Sequence, residues 1–168
     1  MSLQEMVLGL IDSYGLLGVF LAAVIANATI FLPIPMDIAI FAIAGLSTSL
    51  VFIVAVGIVA GIGAGIGESV AYALGLLGIS TAERFSGRKI TGIEEIQFKL
   101  SEKGMLFVFL AAMTPFPFDI IGIIAGIVRY NWAKFFIAVV LGRAIRYEIV
   151  AFAGFFGVEM VKKLFAIG

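Results

Sequence analysis

The sequence predicts an all-α integral membrane protein. Its architecture is an inverted-topology repeat with two opposed re-entrant helical hairpins, each followed by a long transmembrane helix, plus interfacial amphipathic helices. Three observations predict it. The 168 residues are 62% hydrophobic and 13% charged, with a mean hydropathy of +1.21, whereas soluble domains are nearer half apolar and a quarter charged. LPIPMD (32–37) returns as TPFPFD (114–119), so Pro-x-Pro-x-Asp twice interrupts apolar sequence. The segments flanking these motifs recur in the same order.

Composition also excludes. A net charge of zero argues against nucleic acid as a partner. There is no cysteine, hence no disulfide framework and no thiol chemistry, and no histidine, which removes the commonest metal ligand and the usual general base. No nucleophile–base pair, metal cluster or phosphate loop is present, so neither an enzyme nor a cofactor or metal site is expected. The N-terminus has no basic n-region and carries Glu5 and Asp12, unlike a cleaved signal peptide. Residues 1–168 make one membrane domain.

In chain order, Met1 to Tyr14 mixes apolar and acidic residues at helical spacing and reads as a short interfacial helix. Gly15 to Phe31 is apolar and near the lower limit for a span. Pro33 and Pro35 stop it, because proline lacks the N–H and disfavours helix at the residue before it. Asp37 to Leu46 is a second short arm, and Ser47-Thr48-Ser49 is a polar break able to N-cap the next helix. Residues 50–79 form the long span of repeat 1 (15–79). Gly57, Gly61 and Gly65, and again Gly63 and Gly67, are four apart; with Tyr72 and Gly75 they are the expected helix-packing positions. Residues 80–103 are the polar interfacial segment. Repeat 2 (104–158) has a short arm, a break at Pro115 and Pro117, a matching arm from Asp119 to Val128, and a span over 133–158. Between the last two, Arg129-Tyr130-Asn131-Trp132 carries interfacial anchors.

The repeat is more than the proline motif. GLLGVFLAA (15–23) and GMLFVFLAA (104–112) match at most positions, and each aspartate is followed by IAG, ending at Gly45 and Gly126. If each pair of short arms returns to its starting side, each unit crosses once, and consecutive units insert in opposite orientations. Arg84, Arg88, Lys89, Lys99, Lys103, Arg129 and Lys134 lie on the side between the units, against Lys162 and Lys163 on the other. The positive-inside rule then makes the middle loop 80–103 cytoplasmic and puts the termini outside, in the plasma membrane of a prokaryote.

Broken helices persist in a membrane only where protein or a wet cavity satisfies their backbone. The re-entrant tips at Pro33, Pro35, Pro115 and Pro117 are therefore expected to meet around a polar site. Asp37 and Asp119 open the returning arms, where each can cap its own helix or face a cargo. Glu68, Arg143, Arg146 and Glu148 lie inside the two spans, with Tyr147 beside the arginines; charges there cost about 2.5–3.5 kcal/mol each on insertion scales, so they should face inward and pair. Two arginines one helical turn apart suit a phosphate. Four acids against two arginines leave one or two acids over.

These residues resemble the DedA (VTT, SNARE-associated Golgi protein) family. FLPIPMDIAIFAIAG is similar to its proline-rich re-entrant motif. GESVAYALGLLG fits its Gly-acid-x3-Tyr-x2-Gly pattern through Gly67, Glu68, Tyr72 and Gly75. KGMLFVFLAAMTPFPFDIIGIIAG resembles the second re-entrant motif, and LGRAIRY completes the order. Asn27-Ala28-Thr29 stands where many members carry an acid, and Ala112 or Met113 and Phe118 stand where many carry arginines, as in a divergent branch with Thr-Pro-x-Pro. The resemblance implies movement of phospholipid or polyprenyl-phosphate headgroups between leaflets by a scramblase or flippase. The partners are then membrane lipids, with protons or Na+ as coupling ions and a homo-oligomer as an allowed assembly. A proton- or ion-coupled small-solute carrier and a non-transporting membrane scaffold are the alternatives.

Overall fold

A computed structural model describes residues 9, 11, 13–29, 36–87, 93–115 and 117–164. The expected N-terminal interfacial helix, Pro33 and Pro35 fall largely or wholly outside them. Among the described residues the chain is helical, with six helices: α1 (Leu16–Ala28), α2 (Met36–Leu46), α3 (Leu50–Ser86), α4 (Ile93–Met113), α5 (Asp119–Ile127) and α6 (Trp132–Leu164).

The breaks follow local chemistry. Ser49 caps α3 by accepting from the Phe52 N–H at 3.3 Å. Asn131 caps α6 by accepting from the Lys134 N–H at 3.0 Å. Gly87, at φ 65°, ends α3 in the left-handed region that favours glycine. Pro115 and Pro117 separate α4 from α5. The polar stretch 80–103 does not stand apart as expected. α3 runs on through Ser86 and α4 starts at Ile93, so the short arm after Gly104 is the second half of a 21-residue helix. Gly104 costs a helix only about 1 kcal/mol, too little to end one.

α3 and α6 form the central pair and run antiparallel: Gly57 backs onto Glu148, Gly61 onto Ala144 and Gly65 onto Val140. A Cβ at Gly61 would lie 2.7 Å from that of Ala144, so the backbones approach as closely as a glycine seam allows. The short helices then attach in a repeated pattern. α1 lies parallel to α3, where Gly63 meets the Phe20 carbonyl and Ala23. α4 lies parallel to α6, where Gly142 meets the Phe109 carbonyl and Ala112. Phe20 and Ala23 hold the same places in GLLGVFLAA as Phe109 and Ala112 in GMLFVFLAA. The second arms change partners: α5 packs along α3, with Ile123 against Gly75, and α2 packs along α6, with Phe41 against Gly154. The two arms of the first unit, α1 and α2, barely touch.

Each long helix also presents an exposed apolar stripe at four-residue spacing. Ile58, Ile62, Ile66 and Val70 on α3, and Ile137, Leu141, Ile145 and Ile149 on α6, are all 40% or more exposed. Such stripes are unfavourable in water and suited to lipid. α3 is the one helix among the described residues both long and apolar enough to cross a membrane. α6, at 33 residues, has the length, but its middle carries Arg143, Arg146 and Glu148.

Candidate functional site: a polar layer between two cores

The buried apolar residues fall into two clusters. One gathers α1, α2, the first half of α3 and the second half of α6 around Ile40, Ile53, Val56 and Ala151. The other gathers the end of α4, α5 and the start of α6 around Val108, Phe118, Phe135 and Val139. Between them lies a layer of polar side chains, mostly from the middles of the two long helices.

Glu68 and Arg143 form its buried centre. The Arg143 Nη2 donates to Glu68 Oε1 at 2.5 Å, across the α3–α6 seam, with the two residues 8% and 2% exposed. The Arg143 guanidinium also sits 5.4 Å from the centroid of the Phe118 ring, contributed by the second proline motif. The pair is single-pronged: Glu68 Oε2 and Arg143 Nε are both buried without a hydrogen-bond partner. Removing either member would strand the other's charge, at about 3–5 kcal/mol. Asp119, the first residue of α5, lies within electrostatic reach of Glu68.

Arg146, one turn on, faces a different way. Its Nη2 donates to Asp37 Oδ2 on α2 and its Nη1 to the carbonyl of Thr114, just past α4. One guanidinium therefore joins the acid that closes LPIPMD to the residue that opens TPFPFD. This pair is less enclosed than the first, with the side chains of Arg146 and Asp37 15% and 38% exposed. The two arginines, expected to share one phosphate, are thus engaged by separate acids. Asp37 reaches Arg146. The N-cap position of α5 is held by Phe118, which makes no side-chain cap hydrogen bond.

Tyr147 is buried beside them, and its hydroxyl accepts from the Asn27 Nδ2 of α1 at 3.3 Å. Asn27 also donates to the Ala23 carbonyl at 2.8 Å, holding the end of α1 to this layer. Tyr72 lies away from it, donating at 2.5 Å to the carbonyl of Tyr130 in the α5–α6 turn. Glu148 lies on the seam itself, against Gly57 of α3, with both oxygens buried and unpartnered. Pro115 and Pro117 are exposed at the α4–α5 break.

Three contributors were not singled out from sequence. From sequence, Asn27 and Phe118 stand out only as departures from the resembled motifs, and the Thr114 carbonyl not at all. Phe118 and Thr114 do belong to a motif that repeats, and that was the available signal.

A helical fold with lipid-facing stripes, a span-length apolar helix and charges enclosed between its two long helices defines a membrane protein. A family model, the VTT domain, matches residues 34–156, and the chain belongs to that family, the DedA family. Over 155 residues it is 31% identical to the "Uncharacterized protein MJ0201" of Methanocaldococcus jannaschii, covering 88% of each chain. No solved structure matches.

Proposed function

We propose that this protein moves lipids with anionic headgroups, phospholipid or polyprenyl phosphate, between membrane leaflets. Family membership supports a transporter-like role in a membrane. The observation that carries the lipid reading is Arg146, which holds a partly exposed carboxylate and a loop carbonyl where both proline motifs converge. A phosphate monoester or diester can replace the Asp37 carboxylate on that guanidinium, since each offers two anionic oxygens to its planar fork of N–H groups. The charge would cross at the polar layer while the tails stay beside the exposed apolar stripes. Asp37 then serves as the resting counter-ion and Arg143, tied to Glu68, as a fixed positive background.

The re-entrant, inverted reading belongs to the same proposal. It is supported by the antiparallel α3–α6 pair and by the exchange of second arms, which makes each unit depend on the other. The positive residues of 84–103 support a cytoplasmic side for the segment between the two units.

The test is a vesicle assay with the purified chain and fluorescent phospholipids of several headgroups, read by reduction of outer-leaflet probe. Wild type should accelerate exchange without an ion gradient, and Arg146→Gln should slow it at least tenfold. Exchange no faster than in protein-free vesicles, whatever the headgroup, would sink the lipid reading.

A further inference from the structure

We propose that Glu148 is a proton-binding site in the membrane interior, a carboxylic acid that holds its proton in a notch made by Gly57. Both carboxyl oxygens are buried, and neither has a hydrogen-bond partner. The carboxyl group occupies the space a side chain on α3 would fill: a Cβ at Gly57 would stand 2.5 Å from Oε1 and 2.8 Å from Cγ. The glycine thus shapes the recess.

Among the described residues no counter-charge pairs with the Glu148 carboxyl group. From Leu50 to Gly67 the facing helix α3 carries no charged or titratable side chain, and its next residue, Glu68, is occupied by Arg143. On α2, which packs along the same half of α6, the one charged residue is Asp37, held by Arg146. α5 brings Asp119, within reach of Glu68 rather than a cation for Glu148. On α6 itself the two nearby arginines are ion-paired elsewhere, Arg143 with Glu68 and Arg146 with Asp37. An ionised carboxylate whose buried oxygens have neither a cation nor a hydrogen-bond donor is costly, and binding a proton relieves that cost.

The ligand is a proton rather than a metal ion on grounds of donors and space. A cation such as Na+ needs several oxygens, and the apolar wall of α3 supplies none from side chains. The cavity of about 230 Å³ lined by Gly45, Ser47, Thr48 and Glu159 lies further along the chain of α6, on the flank that receives α2. Glu148 does sit next to the lipid-facing stripe, between Ile145 and Ile149.

The assignment does not depend on the cargo, and its test needs no transport. Infrared spectra of the full chain at neutral pH, in vesicles of ether-linked phosphatidylcholine, which has no ester carbonyls, should contain the carbonyl stretch of a protonated carboxylic acid. That band should vanish in Glu148→Gln and persist in Glu159→Gln, which changes an exposed acid on the same helix. Gly57→Ala, whose methyl presses on the far end of a flexible side chain, should fold and shift the band in frequency. Absence of the band from wild type, or its survival in Glu148→Gln, overturns the proposal. Should Glu148→Gln fail to fold, Gly57→Ala decides: a shifted band supports the site and an unmoved one overturns it.

Discussion

α3 and α6 are used alike as beams and unlike as carriers of charge. Each has a glycine that receives the first arm of its own unit, Gly63 or Gly142. Twelve residues on, each has another that receives the second arm of the other unit, Gly75 or Gly154. Each turns a four-residue stripe of apolar side chains outward. Yet the middle of α3 carries one charge, Glu68, while the middle of α6 carries Arg143, Arg146 and Glu148. Packing is duplicated because close helix approach needs small residues at fixed spacing on both beams. Chemistry is concentrated on one because every intramembrane charge costs free energy, so duplicating it without use is unfavourable.

The largest effect should come from the charge asymmetry. Arg143→Ala strands Glu68 in the core and should cost about 3–5 kcal/mol, read as thermal unfolding of the purified protein in detergent. Adding Glu68→Ala should restore much of that loss, because the stranded carboxylate is then gone. If the double variant is no better than the single, Arg143 stabilises through Phe118 and packing instead.

A middle-sized effect probes the duplicated scaffold. Gly63→Val and Gly142→Val should each cost about 1–3 kcal/mol by overpacking. The two costs should be alike, because a Cβ at either position meets a phenylalanine carbonyl at 2.6 Å. Markedly unequal losses would break the equivalence of the two beams. The smallest effect belongs to a contact on one beam alone. Tyr72→Phe removes the bond to the Tyr130 carbonyl and should cost about 1 kcal/mol, with lipid exchange near wild type.

Much of this was legible beforehand because it depends on short-range or compositional rules. Two prolines separated by one residue end α4 before Asp119 wherever they occur. The four-residue glycine spacing marked one face of α3 for close approach, and its two series, 57/61/65 and 63/67, turned out to serve two different neighbours, α6 and α1. The extent of the helices was less legible. The charged run after Ile79 looked like a separate interfacial segment, but charges at a helix end do not stop it, and Gly87 did.

By itself, then, the sequence determined the apolar character of the chain, the places where helices must break, the repeat, and the identity of the few ionisable residues inside. Each follows from composition or from neighbours within a few positions. Only the tertiary structure decided that α2 and α5 exchange long-helix partners. It also decided that Arg143 takes Glu68 while Arg146 takes Asp37 and Thr114, and that Glu148 is left facing Gly57. Those outcomes depend on the register of α6 against α3 and on contacts between residues more than 100 apart in the chain. One turn of a helix carries a side chain from one neighbour to another, and no local rule in the sequence sets that register.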